Sequence, residues 1–214
     1  VVPALIDAHI YGVAGTDVLA GPGAVGRVAA PLPRWGVAAF CPTSIACPPD
    51  VLRAFLRDVA TEHQTLRPGS ARVLGAHLES NFLNPDLRGA QPLEYICPAA
   101  GPQKSGAIPA GEILKVLEEW RTSIAIVTLA PETPGALDLV ARFVAAGLLV
   151  SLGHTGATFE EARPTLAGAG FEIDYVALVA GENLASPPAN DRPKRVLAAV
   201  REGGTRLIDN IAIE

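Results

Sequence analysis

The sequence predicts an α/β protein in which the strands of a parallel sheet alternate with helices. Five short aliphatic runs have the length and composition of buried strands; they lie at residues 4–10, 37–41, 71–78, 124–129 and 148–152. Most are separated by longer segments with the apolar period of a helix, the pattern typical of βα units around a parallel sheet. After about Gly170 two extended runs flank Gly203-Gly204, which predicts an antiparallel hairpin in a small α+β tail.

The helical period is clearest at residues 50–62, where the apolar side chains recur every three or four positions. The same period predicts helices at residues 112–120, 135–146 and 158–169. The segment 83–111 is rich in Gly, Pro and Ala and predicts a long loop. Loops of that length in a compact domain are usually functional.

Composition excludes several classes of partner. The 214 residues are 49% hydrophobic and carry a net charge of −5, which leaves no basic surface for nucleic acid or an anionic membrane. No apolar run approaches the roughly 18 residues of a membrane span, and the first residues lack the basic flank of a signal peptide. We therefore expect a cytoplasmic protein that binds neither nucleic acid nor membrane. Its three cysteines form no CxxC pair, so we expect reduced, buried thiols.

Two of the predicted strands end in side chains that can hold a metal. His77 and Glu79 close one run, and His154 follows another. Because the carboxyl ends of parallel strands meet at one edge of a sheet, these side chains are expected to share a site. Glu79 is the strongest candidate, since a carboxylate there can hold a divalent cation and leave room for water. A solvated loop carboxylate for Glu79, and a helix-capping or core role for His154, remain open alternatives.

His9 closes the first predicted strand. A His-x-His pair would place both rings on the same side of the strand, but Tyr11 occupies the second position. Alone, His9 suits a structural role as well as a metal ligand.

Five ordered motifs resemble N-acetylglucosamine-6-phosphate deacetylase, of the amidohydrolase superfamily. The match runs in order from residue 1 to about residue 165. The motifs are Leu5-Ile-Asp-Ala-His-Ile-Tyr-Gly12, Phe40-Cys-Pro-Thr-Ser44, Val73-Leu-Gly-Ala-His-Leu-Glu79 with Phe82-Leu-Asn-Pro85 and Gly89-Ala90, Thr128-Leu-Ala-Pro-Glu132 and Val150-Ser-Leu-Gly-His-Thr-Gly-Ala-Thr158.

The resemblance implies a partial (β/α)8 amidohydrolase-type barrel over residues 1–168, which binds a divalent metal ion, zinc or iron. It implies hydrolysis of the acetamide of a phosphorylated amino sugar. By position, Glu79 and His154 correspond to metal ligands, His9 to the first member of an optional histidine pair, and Ala90 with Gln91 to the substrate-binding loop.

The chain also departs from the deacetylase pattern. Ser80-Asn81 stands where the family has Gly-Pro, and no histidine follows His154 to supply a further ligand. The late-strand aspartate and the phosphate-binding basic groups are absent as motifs. The site is therefore incomplete by sequence.

The tail resembles a different family. Gly170-Phe-Glu-Ile-Asp-Tyr-Val176 and the stretch from Val196 to Ile211 are similar to the C-terminal domain of pantothenate synthetase, the pantoate–β-alanine ligase. This resemblance implies a second domain at residues 169–214. The nucleotide-binding motifs of that family lie in its other domain, and nothing in this chain matches them.

Three functions compete on these grounds: a metal-dependent amide hydrolase, a catalytically inactive chimera of joined fragments, and a ligase-related enzyme. A partial barrel leaves strand edges unpaired, and exposed edges favour association. We therefore expect a homo-oligomer, or an edge that the tail covers. Release of acetate from N-acetylglucosamine 6-phosphate would separate the hydrolase from the inactive chimera.

Overall fold

A computed structural model of the protein describes residues 4–101, 108–158, 168, 172–180, 194–202 and 205–213. The chain separates into two compact units, Val1–Gly156 and Ala157–Glu214. The boundary expected at residue 168 lies within the second unit and stays a prediction.

The first unit is built on a six-stranded sheet. Its strands are β1 (Leu5–Ile10), β4 (Val37–Ser44), β5 (Arg72–Val73), β6 (Ala76–Glu79), β7 (Ile124–Leu129) and β8 (Leu149–Leu152), while β2 (Gly12–Val13) and β3 (Thr16–Asp17) form a separate antiparallel pair. The order is β1-β4-β6-β7-β8, with β5 also beside β4, and the pairings are parallel. The carboxyl ends of these strands therefore lie at one edge, as the parallel-sheet prediction requires. The predicted α/β class is confirmed, with a curled, partial-barrel sheet.

Helices alternate with these strands. They are α1 (Ala24–Ala29), α2 (Pro49–Gln64), α3 (Ala110–Glu119) and α4 (Ala136–Ala145), and short 3-10 turns cover Leu32–Trp35, Pro85–Leu87, Leu93–Tyr95 and Arg121–Ser123. The last three helices lie within two residues of their predicted bounds. The predicted helix at 158–169 falls almost entirely outside the described residues. Helix α1 was not predicted, because its six residues follow Gly21-Pro22-Gly23, a typical loop sequence.

Two strand predictions need correction. β4 continues through Pro42 to Ser44, although proline usually ends a central strand. The run predicted at 71–78 is two strands, because the chain breaks between them at Leu74-Gly75. Gly75 has a φ of 133°, and a Cβ there would lie 3.0 Å from that of Ala125. Only glycine fits this break without strain.

The core lies between the sheet and its helices. Phe40, Leu78 and Val127 of the strands are fully buried, and so is Leu56 of α2. Full burial of such side chains contributes roughly 1.5–3 kcal/mol each. Strand β1 is different: Leu5 and Ile6 are 60% and 69% exposed at the edge of the sheet.

The predicted buried, unpaired cysteines are confirmed for Cys41, Cys47 and Cys97. Burial raises the pKa of Cys47 to about 12, and the charge of Asp50 adds to the shift, so its thiol is inert at neutral pH. None of the helices in the described part of the chain combines the length and the hydrophobicity that a membrane span requires.

The second unit contains an antiparallel sheet of three strands. They are β9 (Glu172–Ala180), β10 (Lys194–Glu202) and β11 (Thr205–Ile213), in the order β11-β10-β9. The predicted pairing of the last two runs is present, with Glu202 opposite Thr205. The α+β character of the tail stays a prediction.

Candidate functional site

Glu79 is the centre of a polar cluster at the carboxyl edge of the parallel sheet. It ends β6, and its side chain is buried. The Tyr11 hydroxyl and the Gln91 amide both donate to Oε2, while His154 Nε2 lies 2.9 Å from Oε1. A buried carboxylate needs such partners, because burial without them strongly disfavours its charge.

The backbone and the ring contacts of His154 both direct its Nε2 toward Glu79. The residue lies just beyond β8 and has a φ of 51°, which is rare outside glycine. Its Nδ1 donates to the Leu87 carbonyl at 3.0 Å. In the neutral ring this hydrogen bond leaves the lone pair on Nε2. Metal-binding histidines commonly have this tautomer, in which one nitrogen binds the metal and the other donates to a carbonyl.

The contact with Glu79 also changes the protonation of His154. The hydrogen bond to Glu79 raises the pKa of His154; partial burial opposes the rise, and the bond to Leu87 adds to it. A protonated ring donates from both nitrogens, one to Leu87 and one to Glu79. The same geometry therefore serves a charged histidine–carboxylate pair or, after loss of that proton, two metal ligands.

The donor set suits a divalent metal in chemistry but supplies few ligands. Carboxylate oxygen and imidazole nitrogen are ordinary ligands of zinc and iron, and Glu79 and His154 present one of each. Zinc sites usually have three or four protein ligands. Over the residues that the structure describes, no three His, Cys, Asp or Glu side chains are grouped to hold a metal ion. The described residues thus offer two ligands.

His9 does not complete a three-ligand set in this structure. Its ring is in edge contact with Tyr11 and with His77, both at 4.9 Å between centroids. Tyr11, rather than His9, reaches Glu79. The assignment of His9 as a ligand therefore stays a prediction.

The two residues predicted to bind substrate have different surroundings. Ala90 is exposed. Gln91 is buried, and both ends of its amide are engaged: Oε1 accepts from the Ala46 backbone N–H at 2.8 Å and Nε2 donates to Glu79. The structure brings Gln91 into the carboxylate cluster, and its role toward a substrate stays a prediction.

His77, the other candidate of the same strand, is bonded within the protein on both nitrogens. Nδ1 donates to the Ala8 carbonyl at 2.9 Å, so in the neutral ring Nε2 accepts from the Thr128 hydroxyl at 2.7 Å. The ring links β1, β6 and β7. Burial is the main cause that lowers the pKa of His77, to about 4. It is a neutral core histidine at pH 7.

Hydrogen bonds accommodate Ser80 and Asn81, which replace the expected Gly-Pro. The Ser80 hydroxyl donates to the Thr128 carbonyl at 2.5 Å. The Asn81 amide donates to the carbonyls of Cys47 and Tyr95, at 3.0 and 2.8 Å. These bonds tie the loop after β6 to its neighbours, so the departure from the family pattern leaves the side-chain nitrogen of Asn81 paired.

Sequence reasoning missed Tyr11 as part of the site. The sequence does carry a signal, because Tyr11 is two residues beyond His9 and alternate residues of an extended chain point the same way. By sequence alone, Tyr11 at this position indicates only a broken histidine pair. The structure shows a hydroxyl donor to Glu79 instead.

Comparison with known proteins supports the deacetylase resemblance. The chain is 32% identical over 162 residues to N-acetylgalactosamine-6-phosphate deacetylase of Escherichia coli O157:H7. The aligned segment covers 75% of this chain and 40% of that protein. The resemblance of the first three quarters of the chain to these deacetylases is confirmed. This chain spans about two fifths of the length of the curated relatives.

Solved structures give the same result. N-acetyl-D-glucosamine-6-phosphate deacetylase from Mycobacterium smegmatis is 30% identical, with a TM-score of 0.62 over 79% of this chain and 41% of that one. A variant of the enzyme from the same organism, in complex with N-acetyl-D-glucosamine-6-phosphate, is 28% identical, with a TM-score of 0.62 over 89% of this chain and 45% of that one.

The tail has a separate similarity. The family model described as Pantoate-beta-alanine ligase matches residues 128–212. The match begins at Thr128, near the end of β7, and includes β8 and most of the second unit. The predicted resemblance of the tail to this family is confirmed, and the two similarities overlap along the chain.

Proposed function

We propose that this chain is a metal-dependent carbon–nitrogen hydrolase that removes the acetyl group of N-acetylglucosamine 6-phosphate. The observation that carries the proposal is the contact of Glu79 with His154, from two different strands of a deacetylase-like sheet. The relatives are named for the deacetylation of phosphorylated amino sugars. Zinc and iron are the metals whose ligand preferences suit this pair.

In this proposal Glu79 and His154 hold the ion. The chemistry supplied by such an ion, when bound, is polarisation of the acetyl carbonyl and activation of water. Tyr11 and Gln91 orient the carboxylate, since both donate to the oxygen that does not face His154. Leu87 holds the ring in the tautomer that binds metal. Ala90 and Gln91, at the loop after β6, are the proposed substrate contacts.

One observation favours an inactive chimera as the second candidate. The described residues offer two metal ligands rather than three. A ligase-related function is supported by the family match at residues 128–212 alone. The cytoplasmic location expected from the sequence stays a prediction.

Acetate release tests the proposal. The purified chain, loaded with Zn²⁺ or Fe²⁺ and given N-acetylglucosamine 6-phosphate, is expected to release acetate and amine in equal amounts. The activity should disappear with a chelator and return with the ion. Failure of both metals to support acetate release, with the chain folded by circular dichroism, would reject the hydrolase and favour the chimera.

We further propose that the chain forms a homo-oligomer through the β1 edge. Leu5 and Ile6 are adjacent, apolar and exposed on this edge strand, and exposed apolar edges favour association. Sedimentation velocity is expected to show a dimer or larger species, which Ile6→Lys shifts to the monomer. The matched control is Leu66→Lys, because Leu66 is 78% exposed in a loop. A monomer at every concentration would contradict the expectation.

A further inference from the structure

The carboxylate of Glu132 joins three loops beside the proposed metal ligands. Glu132 lies three residues beyond β7. Its Oε1 accepts from the Asn84 side-chain amide at 2.8 Å and from the Gly156 backbone N–H at 2.7 Å, and its Oε2 accepts from the Thr155 hydroxyl at 2.5 Å. The loops after β6, β7 and β8 thus meet at one side chain.

Two of these three contacts are made by the residues that directly follow His154. The left-handed conformation of His154 is costly for a residue with a Cβ, on the order of 1–2 kcal/mol, so surrounding contacts must maintain it. The Asn84 N–H donates to the His154 carbonyl at 3.1 Å. On the other side of His154, a Cβ at Gly153 would lie 2.8 Å from a Thr128 methyl group. The loop is held before, at and after the histidine.

The charge of Glu132 suits this role. Partial burial acts to raise the pKa of Glu132, but the bonds from Thr155, Asn84 and Gly156 outweigh it and keep the pKa below its usual value. The group is ionised at neutral pH, and hydrogen bonds to an ionised acceptor are stronger than neutral ones. Glu132 is exposed, so water competes for these bonds.

We propose that Glu132 is a positioning residue that holds Thr155 and Gly156 and thereby keeps His154 Nε2 directed at Glu79. The inference rests on the proposed function for its consequence, metal affinity, but the orientation of the ring can be measured without metal or activity. No contact of Glu132 with a substrate is required. It acts through His154 alone.

The test compares Glu132→Ala with Glu132→Gln. Alanine removes all three acceptor contacts, whereas glutamine can keep them, with its amide nitrogen donating to the Thr155 hydroxyl. Titration with Co²⁺, followed by visible absorption, is expected to show at least about tenfold weaker binding for Glu132→Ala, the lower end for loss of a group that orients a ligand. Glu132→Gln should recover most of the affinity. Glu118→Ala is the matched control, because Glu118 is an exposed carboxylate on α3.

A second readout is independent of the metal. In imidazole ¹⁵N–¹H spectra of the apo protein, the Nδ1–H of His154 is expected to be protected by Leu87 in the wild type and in Glu132→Gln, and to exchange with water in Glu132→Ala. A His154→Gln variant assigns the signal. If Glu132→Ala leaves the protected signal and the Co²⁺ affinity unchanged, the inference is overturned.

The two readouts also separate this inference from the proposed function. A wild type that binds no metal and releases no acetate contradicts the hydrolase, while the ring signal still decides the role of Glu132. If Glu132→Ala does not fold, Thr155→Val decides instead, because it removes the hydroxyl that donates to Oε2. Faster exchange of the His154 signal in this variant supports the inference, and unchanged exchange overturns it.

Discussion

Replacing Glu79 with alanine is expected to abolish metal binding and to reduce acetate release more than about 100-fold. Loss of a group that only orients a metal ligand lowers metal affinity or activity by about 10–100-fold. Glu79 is proposed as a ligand itself, so the effect of its loss should be larger. It is also the acceptor for Tyr11, Gln91 and His154, so its loss removes what holds the cluster together. Metal content after equilibrium dialysis and acetate release by the loaded protein measure the two effects.

An isosteric variant separates ligation from packing. Glu79→Gln keeps the volume of the buried side chain but replaces the charged carboxylate with a weak, neutral ligand. We expect the thermal midpoint to change less than in Glu79→Ala, while metal affinity still falls strongly. The exposed Glu118→Ala serves again as the control. Metal content that is the same in wild type and in both Glu79 variants would show that the ion, if bound, lies elsewhere.

Acidification between pH 6.5 and about 4 is expected to destabilise the fold through His77. The ordinary pKa of the ring is 6.5, and burial lowers it to about 4 in the folded chain. Below pH 6.5 the unfolded chain therefore binds a proton that the folded chain does not. The stability that His77 contributes is complete above pH 6.5 and is lost as the pH falls through the folded pKa, with a total on the order of 3 kcal/mol.

Urea unfolding at several pH values between 7 and 4 measures this loss. Between pH 6.5 and about 4, the slope of the unfolding free energy against pH should be smaller in His77→Asn than in the wild type, by the amount that corresponds to about one proton. The control His63→Asn leaves His77 in place and should keep the wild-type slope. His154 affects stability in a different pH range, because its pKa is raised. The stability that His154 contributes is complete below pH 6.5 and is lost as the pH rises through its folded pKa. An unchanged acid-side slope in His77→Asn would contradict the assignment of His77 as a buried neutral ring.

Periodicity predicted the elements of the first unit because their local patterns agree with their burial. Residues 124–129 form β7 as predicted, and α2, α3 and α4 lie close to their predicted bounds. The errors occur where local rules conflict with tertiary contacts. Pro42 suggested an end to β4, yet it lies opposite Ile10 in the sheet, and the break at Gly75 depends on the nearby Ala125.

In the candidate site, too, the sequence predicted some residues and not others. Glu79 and His154 were recognised because each lies at the end of an apolar run, and parallel pairing necessarily brings such ends to one edge. Tyr11 and Gln91 were not assigned to the carboxylate. Their hydrogen bonds join residues 68 and 12 positions apart, and no short-range pattern encodes that distance.

By itself the sequence determined the α/β class, the deacetylase-like and ligase-like segments, and the two strand ends that carry Glu79 and His154. These depend on local composition and on motif order, which are properties of neighbouring residues. Only the tertiary structure decided that Tyr11 and Gln91 bind one oxygen of Glu79, that His77 is a core residue, and that Glu132 joins the loop of His154 to its neighbours. Each of these is a contact between distant segments, and the curvature of the sheet and the paths of its loops place such groups within hydrogen-bonding distance.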